Sequence, residues 1–539
     1  MQPNASEIIA LPSTPRPAPA ASLAGHPVER EAKFSVDVTF ELPGLGDVSE
    51  AVDALPELLL QAAYFDTPDL GLWRQGITVR HRTGEGPDGG LWTAKLPAPG
   101  DGPTLDRTEL SWPGSRDQPP EALKAALLGV VRHSAFEVMA ELTTRRRRLA
   151  LRDGTGTSLA EIDDDHVTVV VDGQERGTFR QIEVELGPDG DPLVGPVTDL
   201  LVRAGARPSN EPKLARALAV MVVLESKHDT DLDDRARMGD VVRARIADGL
   251  HRMLDHDVRL RLDADDPPVH SIHQARVATR RLRSDLLVLG AVVDPAWVTE
   301  VRGDLQWMGQ VLGAVRDADV LGLELEAAGG RPASEVPLDR DGFDELRARL
   351  LAQRRARADV LRQALASDRY LGVLDRLEAA VRHLPATGSG SKVIGHRSPA
   401  HRRARKVLPR LVAKRWRALD RAVGTGGRHP TDPQLHRMRI RAKQLRYAAE
   451  TAEPVIGGPA RRVALAAEEA QGVLGDLHDT VAAQEWLATN ARTASGPAAF
   501  TAGVLAADQV RRREELRHQW QSCWRRLDRK KVRGWLDRD

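Results

Sequence analysis

The sequence predicts an α+β multidomain chain: an antiparallel β part at the N-terminal side followed by an all-α part. Two observations lead there. Before about residue 225, short segments alternate apolar and polar side chains between Gly, Pro and Asp, whereas beyond it long Ala/Leu/Arg segments run with few breakers. The charge divides at the same place. Residues 1–225 hold 22 basic and 34 acidic side chains, net −12, and the other 314 hold 56 and 43, net +13. The total of +1 over 539 residues therefore conceals two parts suited to different ligands.

Composition excludes several classes. With 41% hydrophobic and 29% charged residues the chain is globular, and no apolar run approaches the ~18 residues of a membrane span. Cys523 alone makes no intramolecular disulfide and no Cys-based zinc site, so a soluble, cytoplasmic protein is expected. In residues 1–26, Glu7 precedes any basic residue, and Pro12, Pro15, Pro17 and Pro19 interrupt the apolar stretch. That is unlike a signal peptide and predicts a disordered lead-in.

The β part follows from segments 28–36, 77–82, 158–171 and 181–186. Successive strand side chains alternate, so Glu29, Glu31 and Lys33 share a face. The same period pairs Arg80 with Arg82, Arg107 with Glu109, Glu161 with Asp163 and Glu183 with Glu185. It also pairs Arg145 with Arg147, or Arg146 with Arg148. Around Glu183 and Glu185, the residues Ile182, Val184 and Leu186 take the opposite face. Acids and bases on matching faces suit the interior of a closed barrel whose outside is covered. Such a lumen fits a highly charged substrate: Arg and Lys hold phosphate oxygens, and carboxylates hold divalent cations that bind the same oxygens. Phosphoanhydride hydrolysis uses that division of labour, and no P-loop offers the other common solution.

Glu29-x-Glu31-x-Lys33, Tyr64-Phe65-Asp66-Thr67-Pro68, Leu72-Trp73-Arg74 through Arg80-His81-Arg82, Trp92-Thr93-Ala94-Lys95-Leu96, Glu161-Ile162-Asp163-Asp164 and Ile182-Glu183-Val184-Glu185-Leu186 occur in that order. Over residues 27–224 the chain resembles the CYTH family of triphosphate tunnel metalloenzymes. The resemblance implies an eight-stranded antiparallel tunnel with flanking helices, binding a triphosphate and Mg2+ or Mn2+, and commonly hydrolysing it. It implies Lys33, Arg80, Arg82, Lys95, Arg107, an arginine of 145–148 (Arg145 and Arg147 chosen) and Lys213 as substrate binders. It implies Glu29, Glu31, Glu161, Asp163, Glu183 and Glu185 at the metal, Glu109 at a matching acidic position, and Glu29, Glu31 and Lys33 as catalytic. Arg216 completes Pro212-Lys213-x-x-Arg216, where the family has serine in place of Pro212. Relatives include inorganic triphosphatases, thiamine triphosphatases and nucleotide cyclases. Tyr64, Trp73 and Trp92 are expected to pack rather than clamp a nucleoside, which favours an inorganic substrate.

The helical part carries a basic stripe twice. His273, Arg276, Arg280 and Arg283 have the offsets 0, 3, 7 and 10, and so do His436, Arg439, Lys443 and Arg446, displaced by 163 residues. At ~100° per residue these positions fall within about 80° of one helix side. Leu312-Gly313 with Arg316-Asp317 recurs as Leu474-Gly475 with His478-Asp479, displaced by 162, so the part is an internal duplication. Two stripes suit an anionic polymer, held by charge-assisted hydrogen bonds and counterion release; the histidines add titratable charge. Metal binding is disfavoured by the neighbouring arginines.

The run Val269-His270-x-x-His273-x-x-Arg276 through Arg280-Arg281-Leu282-Arg283, with Gly313-x-x-Arg316-Asp317, resembles CHAD, the conserved histidine α-helical domain, over residues 236–535. It implies a pair of pseudo-symmetric helical bundles (repeats 236–384 and 400–535, loop 385–399, after a linker at 225–235). It also implies a basic surface binding inorganic polyphosphate through His270, the two stripes and their neighbours. The resulting expectation is a metal-dependent inorganic triphosphatase placed by its helical part at cytoplasmic polyphosphate granules, with no membrane or specific nucleic-acid partner. The alternatives are a non-catalytic polyphosphate-binding protein, or a tunnel enzyme acting on an organic triphosphate as a nucleotide cyclase or thiamine triphosphatase.

Overall fold

The structure is a computed structural model and describes residues 28–29, 31–87, 89–97, 107–209, 211–219, 232–329, 338–385, 399–427 and 429–536. The expected lead-in, most of the expected linker and the loop lie outside these residues. The chain forms two compact units, Met1–Glu225 and Ser226–Asp539.

The first unit contains β1 (Val28–Glu29), β2 (Glu31–Val36), β3 (Ala51–Asp66), β4 (Thr78–Thr83), β5 (Leu91–Pro97), β6 (Arg107–Pro113), β7 (Glu137–Arg152), β8 (Ser158–Val171), β9 (Gln174–Leu186) and β10 (Arg207–Pro208). All pairings are antiparallel, in the order β1-β6-β5-β4-β3-β7-β8-β9-β2-β10. One residue separates β1 from β2, yet they pair at opposite ends of the sheet. Glu29 lies opposite Arg107 on β6, and Glu31 opposite Glu185 on β9. The N-terminal stretch thus closes an eight-stranded barrel, with β10 beside β2.

Closure gives every strand an inside and an outside. Phe34, Ile162, Ile182 and Val184 face outward under Val197 and Leu201 of a covering helix and under Phe40 and Leu45 of the β2–β3 connection. The helices of this unit are α1 (Gly71–Arg74), α2 (Glu121–Val131), α3 (Val194–Arg203), which is that cover, and α4 (Lys213–Ala219). Asp66 anchors α1 by accepting from the N–H groups of Thr67 (2.7 Å), Leu72 (2.8 Å) and Trp73 (2.9 Å), which explains the Asp-Thr-Pro turn. Tyr64, Leu142, Val167, Val169 and Val171 cluster with Leu214 and Ala217 of α4, forming an apolar plug.

The second unit repeats five helices. The first set is α5 (Met238–Leu262), α6 (Val269–Leu289), α7 (Pro295–Gly329), α8 (Arg340–Leu365) and α9 (Asp368–Arg382). The second is α10 (Ala404–Gly426), α11 (Asp432–Ile456), α12 (Gly458–Ala491), α13 (Gly496–Leu527) and α14 (Lys530–Arg533). The repeats share one core, in which Leu321 and Leu325 of α7 and Leu346 and Leu350 of α8 pack with Leu487 of α12 and Leu505 of α13. The stripe helices α6 and α11 are tied by Thr451 to Asp285 (3.0 Å) and Arg281 to Glu450 (3.0 Å). Among the described residues no helix is long and apolar enough to cross a membrane.

Candidate functional site

In the barrel, the register Lys33–Glu183–Asp163–Arg148 and Asp165–Arg146 brings the charged residues to the inner face. Acids and bases occupy different arcs. Glu31 on β2, Glu183 and Glu185 on β9, and Glu161, Asp163 and Asp165 on β8 form a carboxylate wall across three adjacent strands. Arg146 and Arg148 on β7, Arg80 and Arg82 on β4 and Lys95 on β5 form the opposing cationic wall. The walls are bridged. Arg146 pairs with Asp163, with Asp165 (2.8 Å) and with Glu183 (2.9 Å). Lys33 reaches Glu31 (2.8 Å) and Glu183 (3.2 Å); Lys213, entering from α4, reaches Asp165 (2.6 Å) and Glu183 (2.9 Å).

These contacts fix the charges. Burial opposes ionisation of Glu183, but Lys213, Lys33 and Arg146 overcome it and hold the carboxyl well below its usual range. Burial likewise disfavours the Lys33 and Lys213 ammonium groups, and Glu183 with Glu31 or Asp165 lifts both above the ordinary lysine value. Asp163 goes the other way: burial pushes it up to about 8 against the pull of Arg146, helped by Glu185, Asp165 and Glu161. Arg82 is lowered first by Arg80 and then by burial, which marks a crowded guanidinium group able to gain from an anion.

On the helical unit the stripes of α6 and α11 converge. Burial, followed by Arg280, Arg439, Arg276 and Arg283, lowers Lys443 to about 6, so cations of both repeats act on one ammonium. Burial also lowers Arg280 and Arg439, with Arg276 contributing to both. Arg276 pairs with Asp317 at 3.0 Å. Its guanidinium lies over Gly313, where an added Cβ would stand 3.4 Å from Nε; Arg439 lies over Gly475 in the same way, at 3.8 Å. The glycines of the duplicated Leu-Gly pair thus lie under equivalent stripe arginines. His436 stacks obliquely on His478 (4.7 Å), and burial with Arg439 and His436 pushes His478 down to about 4. Burial and Arg316 lower His273.

The CYTH domain family matches residues 28–195, and the CHAD domain family matches residues 244–488. The uncharacterized protein Rv2226 of Mycobacterium tuberculosis is 32% identical over 529 residues, covering 93% of this chain and 96% of its own. This chain belongs to the CYTH and CHAD families. Among solved structures it is similar to PptA from Streptomyces chartreusis (22% identity, 54% of this chain and 100% of that one, TM-score 0.42). It is also similar to the CHAD domain of the plant Ricinus communis (23%, 57% and 93%, TM-score 0.39). A third is HpAC1 from Hippeastrum, described as having a dominant triphosphatase activity (17%, 35% and 95%, TM-score 0.23). CYTH domains are metal-dependent tunnel enzymes that include triphosphatases, and the two families are associated with triphosphate or polyphosphate binding.

The CYTH residues present fit a divalent cation. Glu31, Glu183 and Glu185 each offer a carboxylate oxygen, all within 4.8 Å of one another, a hard oxygen set suited to Mg2+ or Mn2+. Asp163 Oδ1 is buried beside them and accepts no hydrogen bond. Glu161 stands further out, paired with Arg148 at 2.5 Å. Lys95 pairs with Glu109 at 2.8 Å, and Arg82 with Glu85 at 3.0 Å. Glu29 and Arg107 are register partners, and their side chains lie outside the described residues. The choice of Arg145 and Arg147 is corrected. They face outward with His166 and Asp164, Arg145 pairing with Glu57, while Arg146 and Arg148 face the lumen. Asp165, absent from the sequence-based set, holds both Arg146 and Lys213.

In the CHAD domain His273, Arg276, Arg280, Arg283, His436, Arg439 and Lys443 lie on the stripe helices as expected, but Arg446 is spent on Glu450 (2.7 Å) and Glu468 (2.8 Å). His270 sits 5.9 Å from His256, and the equivalent position in the second repeat is Pro433. Sequence reasoning missed Arg302, which acts on Arg283 and on Arg415, a member of the basic segment Lys414-Arg415-Trp416-Arg417 already expected to assist the stripes. Arg302 comes from α7, so no spacing within a stripe announces it.

Proposed function

We propose that the CYTH domain is a divalent-metal-dependent triphosphatase that hydrolyses inorganic triphosphate, and that the CHAD domain binds inorganic polyphosphate, placing the protein at cytoplasmic polyphosphate. The observation carrying the first half is the separation of a carboxylate wall from a guanidinium wall inside one barrel. Arg80, Arg82 and Arg146 would bind phosphoryl oxygens, with Lys95 at the same wall. Lys33 and Lys213 keep Glu183 ionised, so it stands ready as an oxygen ligand with Glu31 and Glu185. A bound Mg2+ or Mn2+ would supply neutralisation of the charge developing on the transferred phosphoryl group. Trp92 is buried on the outer face and Tyr64 in the plug, which supports a substrate without a base to stack. For the CHAD domain, the supporting observation is a set of crowded cations from two helices, which gain by meeting anions.

Phosphate release from triphosphate, ATP and thiamine triphosphate, measured with Mg2+ or Mn2+ and with chelator, tests the enzyme. Metal-dependent release that prefers triphosphate and falls by ~100-fold or more in Glu31→Gln or Glu185→Gln is expected. No release from any substrate would replace it with a non-catalytic binding protein, and cyclic product from ATP would make it a cyclase. Arg276→Ala with Arg439→Ala should weaken polyphosphate binding and flatten its salt dependence while leaving triphosphate turnover unchanged.

A further inference from the structure

The backbone segments preceding α5 and α10 pair with each other. Met238 N–H donates to Arg402 O (2.9 Å) and Ala404 N–H to Ala236 O (2.9 Å), making Arg237 and Arg403 an antiparallel bridge. Because the hydrogen bonds are made by the flanking residues, Arg237 and Arg403 form the non-hydrogen-bonded pair, whose side chains start closest. Arg235, in the turn before Arg237, and His401, at the end of the 3-10 turn Pro399–His401, stand beside this bridge, while Ala236, Met238 and Ala404 are buried behind it. The bridge thus presents three arginines and a histidine together, around a cleft of about 540 Å³ lined by these four and Asp234. None of the stripe residues lines it.

Like charges directly opposite one another across a bridge are destabilising unless something lies between them. No nearby carboxylate is paired with the Arg237 or Arg403 guanidinium. Asp234 pairs with Arg405 (3.4 Å), Asp233 accepts from the Arg235 backbone N–H (2.9 Å), and Asp240 accepts from that of Arg237 (2.9 Å). Arg237 has only donors, so its 3.3 Å contact with His401 Nδ1 makes that nitrogen an acceptor and leaves Nε2–H as a further donor. The cleft therefore offers hydrogen-bond donors and positive charge with one occupied carboxylate. We infer that it is a second anion site of the CHAD domain, which binds a phosphate oxyanion between Arg237 and Arg403, apart from the stripes of α6 and α11. The ligand chemistry is that of inorganic phosphate or pyrophosphate, whether free or as a segment of a longer chain.

The test uses the full chain, the Arg237→Gln/Arg403→Gln variant and the Arg276→Ala/Arg439→Ala variant. Pyrophosphate is titrated calorimetrically in chelator, and Tm is followed with and without it. The parent and the stripe variant should share a binding event that weakens by tenfold or more in Arg237→Gln/Arg403→Gln. In phosphate-free buffer that last variant should melt no lower than the parent. Long-chain polyphosphate then separates the sources, since weakened polymer binding alongside lost pyrophosphate binding indicates a chain segment and unaltered polymer binding indicates a free anion. A pyrophosphate titration left unchanged when Arg237→Gln/Arg403→Gln is added to the stripe variant overturns the site, and so does a lower Tm of Arg237→Gln/Arg403→Gln in phosphate-free buffer, which would make the arginines structural. The stripe reading can fail without affecting either outcome.

Discussion

If the helical face binds polyphosphate as proposed, Lys443 makes that binding sensitive to pH. With its pKa lowered from 10.5 to about 6 by burial and by Arg280, Arg439, Arg276 and Arg283, only roughly a tenth of it is protonated at pH 7. A polyanion laid on the face cancels that repulsion and restores the ammonium. Binding should therefore take up about 0.9 proton at pH 7 through Lys443, and affinity should fall by up to about tenfold, or 1.4 kcal/mol, per pH unit above 6. His273, His436 and His478 are also lowered in the free protein and add to the uptake as the polymer raises them. The free protein shows the complementary sign. Between about pH 6 and 10.5 the unfolded chain holds the proton that folded Lys443 lacks, so stability rises with pH through that window and the penalty is full below it. Lys443→Gln should then raise the Tm of ligand-free protein more at pH 6 than at pH 9. Calorimetric titration in buffers of different ionisation enthalpy measures the uptake directly. Lys443→Arg, charged throughout, should lose the Lys443 share and flatten the pH profile. Equal uptake by the parent and Lys443→Arg would refute the reasoning.

Two further outcomes separate neighbouring residues. Arg146→Ala leaves Asp163, Asp165 and Glu183 undercompensated in the barrel and should cost about 3–5 kcal/mol in urea denaturation together with triphosphate turnover, whereas Arg145→Ala, on the exposed outer face, should stay within ~1 kcal/mol with turnover intact. Gly313→Ala with Gly475→Ala should leave Tm level or higher, because alanine favours a helix by ~1 kcal/mol per site. The same variant should keep its polyphosphate affinity, because the new methyl groups meet Arg276 and Arg439 at ordinary contact distance; a several-fold loss in a filter-binding assay would refute this.

Much of the barrel was legible because its strands announce their phase. On β9, Ile182 and Val184 point out, which forces Glu183 and Glu185 in. The phase disappears where one residue type repeats. In Arg145 to Arg148 every alternate choice reads alike, and only the register with β8 and β9 decides that Arg146 and Arg148 are lumenal, as it adds Asp165 to the face that Glu161 and Asp163 already announced. Asp164 instead makes a buried outward pair with Arg180 (2.7 and 2.8 Å), a tertiary contact no local pattern encodes. In the helical half the duplication exposed the stripes, but it also concealed a difference within them. Arg283 is followed four residues on by Leu287, whereas Arg446 is followed by Glu450, an i,i+4 partner that removes it from the face.

On the proposed function, the two halves would handle the same ligand chemistry by opposite electrostatic means. Inside the barrel Lys33, Lys213 and Arg146 have carboxylate partners and in turn hold Glu183 down, so these four stay charged across the neutral pH range, while Asp163, pushed up to about 8, titrates there. That cluster gains little from an anion's charge alone, because its cations are compensated before the anion arrives; Arg80 and Arg82 are the lumenal pair that gains. The site's selectivity must come from geometry and from a cation that adds positive charge to the carboxylate wall. On the helical face Lys443, Arg280 and Arg439 are lowered instead, by burial first and then by the neighbouring arginines, against the weaker pull of Asp317 and Asp479. That face is poised to gain from any dense anion, so its binding should be strongly salt-dependent and tolerant of chain length. A compensated lumen suits a small substrate that must be oriented for reaction, whereas an uncompensated face suits a polymer that must only be held.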